Sequence, residues 1–474
     1  MRLKFENLIG GSSISLTKAY FPIQSFYDPG FVIEVPNAGV LDAKTAISKA
    51  RSSTATLAQM PFEERSNILY EASRKIKFTD DEIESWVKLS GMPITAVKDQ
   101  LNEVEKIFKI IPDLIRKRIG INNGKIGRNP IEGHPMFKYM HPISGYVYVV
   151  TPGNDPRVTS FVAAWLISLG LPGIFKPSKT DFPIASKTIQ TLIQCGYPKE
   201  ALHVVNWDTN NQSKGKIHFD LVDSSSAIWA FGDNGVVENL LRWEINGDHK
   251  VDHFSDKIVL KHTTGRTASI CASSADIRKT VDLAVESSLT WPIGCNALKS
   301  IFDASGKNSE LMPLLIEKFE SYGKWVGDPM NKKTKVGNVN PEILSMVGKR
   351  CNELSSLNQL QKFSGDFLSE SQSSPLLFKT NDIFSEFLST EFSCYLLTVK
   401  QSENYSSAVN ELNMSAGKNH RLVTVVYTED ESEVLKEYLH AHHIKRMKHS
   451  TELDIMFHEG NDYLHQLTRP QIHH

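Results

Sequence analysis

Five cysteines are scattered along this 474-residue chain, and one of them, Cys295, sits between Gly294 and Asn296 in the stretch SSLTWPIGCNALKSIF, residues 287–302. A thiol in a glycine-flanked loop between a helix and a strand can expose its sulfur and bring its own backbone N–H to a reacting carbonyl. That is the local geometry of a thioester-forming nucleophile. The plainer alternative is an inert cysteine buried for packing. Three further stretches hold residues of chemical interest. In TPGNDPR, 151–157, the amide of Asn154 can donate to an oxyanion or simply serve a turn. In FKPSK, 175–179, Lys176 and Lys179 suit the ribose and phosphate of a nucleotide, or are solvated loop lysines. In WAFGDNG, 229–235, Phe231 and Gly232 close a strand before a helix start, a shape that turns backbone N–H groups toward a pyrophosphate. Neither a G-x-G-x-x-G fingerprint nor a P-loop occurs.

The elements that must hold these residues follow from periodicity. Val281, Ala284, Val285 and Leu289 predict a helix over 275–289, and 297–302 reads as a buried strand. The first third is helical: 42–51 capped by Asp42, 61–77 opened by Pro61, a segment started by the Thr79/Glu82 capping box, and 94–116. Strands at 146–150, 173–175, 202–205 and 227–231, the last joined by Leu221, then alternate with helices at 156–169, 182–194 and 236–243. Such alternation predicts a parallel sheet that binds ligands at the carboxyl ends of its strands. A second alternation starts near Ile258 and runs through strand 268–271, the 275–289 helix, strand 297–302, helix 309–322 and strands 394–399 and 422–427. Residues 122–142, rich in Gly, Asn and Pro, read as an arm leaving the body.

Composition removes several functions. A net charge of −1 with interspersed signs offers no basic face for nucleic acid. Cysteines without a C-x-x-C pair suit a reducing, cytoplasmic compartment. The N-terminal residues lack a signal-peptide core, and the longest apolar run, 161–175, is broken by Gly170, Pro172 and Gly173, so no membrane span is expected. His440, His442, His443 and His449, on a predicted basic helix and loop, and His465, His473 and His474 lack metal-site spacing, so no metal is expected.

The order of these motifs resembles the aldehyde dehydrogenase superfamily: a Pro-x-Asn turn, Lys-Pro-Ser, Phe-Gly, a Gly-Arg pair at 265–266, the Gly-Cys loop some thirty residues on, and Thr-Glu-Phe at 390–392. The resemblance implies an α/β fold with a Rossmann-type cofactor domain (1–121 and 143–257), an α/β catalytic domain (258–445), and a small oligomerisation arm and tail (122–142 and 446–474). It makes Cys295 the nucleophile, Asn154 the oxyanion-hole amide and Glu391 the contact to the nicotinamide ribose. Thr151, Pro152, Lys176, Ser178, Lys179, Phe231, Gly232 and Gly265 become the remaining cofactor-binding positions.

The departures from that pattern carry information. Where the hydrolytic enzymes have Glu-Leu-Gly-Gly-Lys, this chain has HTTGR, 262–266, so the water-activating glutamate is replaced by His262. A thiol such as coenzyme A attacks an acyl-cysteine without that base, whereas water needs one, a catalytic role that His262 could still fill. The closing stretch 457–470 and the Trp-Ala-Phe-Gly-Asp run resemble the fatty acyl-CoA reductases of the bacterial bioluminescence type. The expectation is therefore reduction of an acyl-CoA to the aldehyde with release of coenzyme A. Hydrolytic oxidation of a free aldehyde and a catalytically silent oligomeric scaffold are the alternatives. Lys179 stands where the family's glutamate repels a 2′-phosphate, which implies NADP(H). Arg157 and Arg266 could meet a terminal carboxylate, as in malonyl- or succinyl-CoA, or be structural ion pairs, and Trp291 and Phe392 could equally line an apolar tunnel for a longer chain. A homo-oligomer, dimer or tetramer, is expected.

Overall fold

The four residues Val147–Val150 are apolar on both faces and all buried, so this strand belongs inside a sheet covered on two sides. In the computed structural model it is the third of seven strands, ordered Ile258–His262, Ala227–Phe231, Val147–Val150, Gly173–Lys176, Leu202–Val204, Leu8–Ile9, Ser12–Ser13. The first five are parallel, and Leu8–Ile9 joins antiparallel to Leu202–Val204. Because the chain goes first to one side of Val147–Val150 and later to the other, the turn after Val150 opens at a topological switch point. The structure describes residues 2–118, 120–122, 124–128, 137–209, 215–232, 235, 242–245, 249–252, 257–262, 265–306, 309–416, 421–430, 439, 441–446 and 466–473.

Contacts divide the chain into two units, Met1–Trp86 with Val97–Thr263 and Asp454–His474, and Val87–Ala96 with Thr264–Leu453. In the first, the helix Val158–Leu169 is buried along its whole length, which explains its unbroken apolar text. The Thr79/Glu82 box forms as expected, with reciprocal bonds of 2.7 and 3.3 Å. The first helix is longer than periodicity suggested, Val40–Gln59, because Gly39 is its cap and the Asp42 carboxylate accepts the Gly39 N–H at 2.9 Å. Leu221 is not in a strand but on the buried face of the helix Gly215–Ser224; a lone apolar residue does not reveal its period. Trp243, expected at a helix end, lies in the strand Arg242–Ile245, paired antiparallel with His249–Asp252, while 236–241 fall outside the described residues. The arm and the tail meet: Thr468–His473, Phe137–Pro142, Lys125–Arg128 and Ile121–Asn122 form one antiparallel sheet.

The second unit has its own seven strands, ordered Leu360–Ser364, Leu376–Thr380, Leu396–Gln401, Ser300–Asp303, Ala268–Cys271, Arg421–Tyr427, Ala441–Arg446. The helix Ile277–Leu289, capped by Asp276, buries Val281, Ala284, Val285 and Leu289 as its spacing predicted. Two corrections apply here. Ile258–His262, read as the start of this alternation, pairs with Ala227–Phe231 in the first sheet. The basic segment with His442 and His443 is an edge strand, Ala441–Arg446, because it adds in parallel to Arg421–Tyr427; His440, His449, His465 and His474 are outside the described residues. Among the described residues no helix is long and apolar enough to cross a membrane.

Candidate functional site

In the first unit the turns after adjacent strands lock together at the carboxyl edge of the sheet. The Thr151 N–H donates to the Lys176 carbonyl at 3.2 Å, and the Ser178 N–H donates back to the Thr151 carbonyl at 3.1 Å. Gly153 lies close against this turn, since a Cβ there would stand 2.8 Å from the Ser178 Oγ. Behind them lies Asp181, which no sequence signal marked as functional. It is fully buried, its Oδ2 lies 2.9 Å from the Thr159 hydroxyl, and that hydroxyl is 3.3 Å from the Thr151 hydroxyl. Burial pushes the Asp181 carboxyl well above the usual range, opposed by the bond from Thr159. Pro152 and Asn154 are half-buried in the same turn.

Arg157 is not open to a substrate carboxylate. Its fork grips Asp155, with Nε 3.0 Å from Oδ1 and Nη2 2.8 Å from Oδ2, both side chains largely buried. Lys176 is buried beside the Trp207 ring, and burial above all, with the nearby Lys179 charge, lowers its pKa to about 8. A desolvated amine with one long bond of 3.4 Å, to the Pro177 carbonyl, has donors to give a ribose or phosphate. Lys179 is more exposed, 3.6 Å from Asp208 and 5.3 Å over the Phe21 ring. Phe231 and His262 stack at 4.4 Å with rings 11° apart, and the Gly232 N–H donates to the His262 carbonyl at 3.1 Å. His262 is thus packed face-on against an aromatic.

The second unit gathers Cys295, Gly265, Arg266, Glu391 and Trp291. Cys295 is the one exposed cysteine; burial raises the thiols of Cys195, Cys271, Cys351 and Cys394 above the usual range. Its loop is folded tightly: Gly294 N–H donates to the Trp291 carbonyl at 3.1 Å, and Ala297 N–H to the Gly294 carbonyl at 3.0 Å. A Cβ on Gly294 would stand 2.7 Å from the Trp291 ring, so Trp291 packs against the loop itself. Gly265 is the closest approach of all, where a Cβ would sit 1.5 Å from the Cys295 carbonyl oxygen. The Thr267 hydroxyl donates to that same carbonyl at 3.2 Å. Arg266, between them, has a left-handed φ of +45°, a costly conformation for a side-chain-bearing residue, and its Nη1 lies 3.4 Å from the Ala416 carbonyl.

Glu391 accepts the Gly265 N–H at 2.6 Å, so two residues expected to touch the cofactor bond to each other. Burial raises its carboxyl above the usual range, opposed by that N–H and by the charge of Lys299. Lys299 and Thr267 carried no recognisable motif; the only signal for Lys299 was a lysine within the mostly apolar stretch 297–302.

The profile of the Aldehyde dehydrogenase family matches residues 18–438. 1-Pyrroline-5-carboxylate dehydrogenase 1 of Halalkalibacterium halodurans is 26% identical over 305 residues, 63% of this chain and 56% of that protein. The match therefore spans little more than half the length of that curated relative. In fold, the chain is similar to an NADP-dependent glyceraldehyde-3-phosphate dehydrogenase from Bacillus halodurans C-125 complexed with NADP, with a TM-score of 0.82 at 16% identity over 99% of each chain. An NADP-dependent enzyme from E. coli gives 0.84 at 15% identity over 99% of this chain and 98% of that one.

Proposed function

The chain belongs to the aldehyde dehydrogenase family, and from that premise we propose that it is an NADP(H)-dependent enzyme that carries an acyl group as a thioester on Cys295. The observation behind this reading is that the one exposed cysteine stands on a loop held by Gly265, Thr267 and its own turn. The favoured reaction is reduction of an acyl-CoA. The Cys295 thiolate attacks the thioester carbonyl, the bond from that carbon to the coenzyme A sulfur breaks, and coenzyme A leaves with a proton. Bound NADPH would supply the hydride that turns the acyl group into an aldehyde, with Cys295 departing as thiolate. Asn154 and the Cys295 N–H are the proposed oxyanion donors.

Two features support this direction. The position of the water-activating glutamate is His262, and that ring is stacked against Phe231. NADP(H) is supported by Lys176 and Lys179 at the carboxyl edge of the first sheet, and by the NADP held by the Bacillus halodurans fold relative. With Arg157 engaged by Asp155, an apolar acyl tail fits better than a dicarboxylate, which would need Arg266. We further propose a cytoplasmic homo-oligomer, dimer or tetramer, joined through the arm sheet.

A second reading rests on Glu391. A carboxylate held above its usual pKa and bonded to Gly265, which itself abuts Cys295, is a candidate base for water. In that case the chain would oxidise a free aldehyde to the acid, an activity in keeping with the name of the curated relative. The test is whether NADPH is consumed with acyl-CoA thioesters or NADP is reduced with free aldehydes, each with and without Cys295→Ala. A scaffold without catalysis would do neither, and its Cys295 would ignore thiol reagents.

A further inference from the structure

We propose that Lys299 is a positioning residue that sets the Cys295 loop, tying the carbonyl of Pro292, three residues before the thiol, to the carbonyl of Cys394, three residues after Glu391. The inference rests on Cys295 as the nucleophile but names a residue that the family pattern does not mark. The Lys299 Nζ donates at 2.6 Å to Pro292 and at 2.9 Å to Cys394, and the side chain is 2% exposed. Its backbone joins two more segments: its N–H donates to the Thr267 carbonyl at 3.1 Å, and its own carbonyl accepts from Thr398 N–H at 3.0 Å. Thr267 in turn holds the Cys295 carbonyl. One residue therefore touches the lead-in that clamps Cys295, the loop that carries it, and the segment that carries Glu391.

Packing does not account for an amine in this place. Burying a lysine is costly unless its donors are used, and a methionine would fill similar volume at no such cost. Two carbonyls of irregular backbone converge on it, each of which would be left without that donor if the amine were removed. Glu391 and Cys394 are the titratable groups that feel its charge, and burial holds its pKa down at about 8. A bridge between two loops restricts how far the thiol can wander, and a misplacement of about 1 Å can cost on the order of 100-fold in rate.

The test uses the full chain with Lys299→Met and Lys299→Arg, reading three quantities: alkylation of Cys295 by iodoacetamide mapped by mass, kcat, and the Kd for NADPH. The Met variant is expected to lose about 100-fold in kcat and about tenfold in alkylation rate, with NADPH affinity within about twofold of wild type. The Arg variant, which keeps donors for both carbonyls, should recover at least about tenfold of the kcat. Wild-type alkylation and turnover in the Met variant would overturn the proposal. So would equal loss in both variants accompanied by loss of NADPH binding, which marks a residue needed only for folding. Alkylation needs no substrate: if its rate depends on Lys299 while no thioester or aldehyde is turned over, the proposed reaction fails and this role stands.

Discussion

The carboxyl edge of the first sheet and the Cys295 cluster of the second unit are built on opposite plans. In the first, two of the charged side chains are already paired with neighbours that a ligand would have to displace or share, Arg157 with Asp155 and Lys179 with Asp208, while the buried Lys176 keeps donors to give. In the second, the groups around the thiol are backbone carbonyls, a backbone N–H and buried polar side chains fixed in place, with Gly265 pressed against Cys295. The difference suits the proposed roles, coenzyme binding in the first unit and thiol chemistry in the second. A binding surface keeps adjustable ion pairs, whereas a reacting centre gains from donors that need no rearrangement.

Substitutions on the two sides should therefore fail in different ways. The largest effect is expected from Gly265→Ala. The added methyl overlaps the Cys295 carbonyl, so the loop must shift, and turnover should fall by about 1000-fold. NADPH binding, read by fluorescence, should change far less; equal losses would erase the contrast between the two sides. Asn154→Ala should lower kcat by about 100-fold or more, with a smaller change in coenzyme affinity. Lys179→Glu should move the ratio of NADPH to NADH efficiency by about 10- to 100-fold toward NADH, measured as kcat/KM for each coenzyme.

Lys176 gives a pH test of the same contrast. Its amine titrates near 10.5 when unfolded and at about 8 when folded. Folding disfavours the charged form, so the stability linked to this group is complete above about 10.5 and is lost as pH falls through about 8. Removing the amine with Lys176→Met should then stabilise the chain at pH 7 by roughly 3 kcal/mol while weakening NADPH binding. The gain should vanish at pH above about 10.5, as followed by denaturant unfolding. The smallest expected effect is Asp208→Asn, which frees Lys179 from its acid and should tighten NADPH binding about threefold.

Much of the fold was legible because local signals agreed with tertiary structure. The Thr79/Glu82 box, the 182–194 helix and the apolar face of Ile277–Leu289 could be read from the chain alone. What escaped depended on partners distant in sequence. Ala441–Arg446 is a strand only because Arg421–Tyr427 offers an edge, and Ile258–His262 joins the first sheet only through Ala227–Phe231. The same holds within the candidate site. Cys295, Gly265 and Glu391 stood in recognisable text, but the bond from Gly265 to Glu391 spans a sequence separation of 126 residues, and that from Lys299 to Cys394 spans 95. Arg157 stayed open between two readings for the opposite reason. Its partner is only two residues away, and nothing in the spacing distinguishes an arginine offered to a substrate from one clasping its neighbour.

The most direct test of the central claim is loss of NADPH absorbance with a panel of acyl-CoA thioesters, from malonyl and succinyl through acetyl to long-chain, for wild type and Cys295→Ala. NADPH should be consumed with one thioester class, with coenzyme A released in equal amount, and both should disappear in the Ala variant although it still binds NADPH. No consumption with any thioester, together with NADP reduction by free aldehydes, would contradict acyl-CoA reduction and assign the chemistry to hydrolytic oxidation of a free aldehyde.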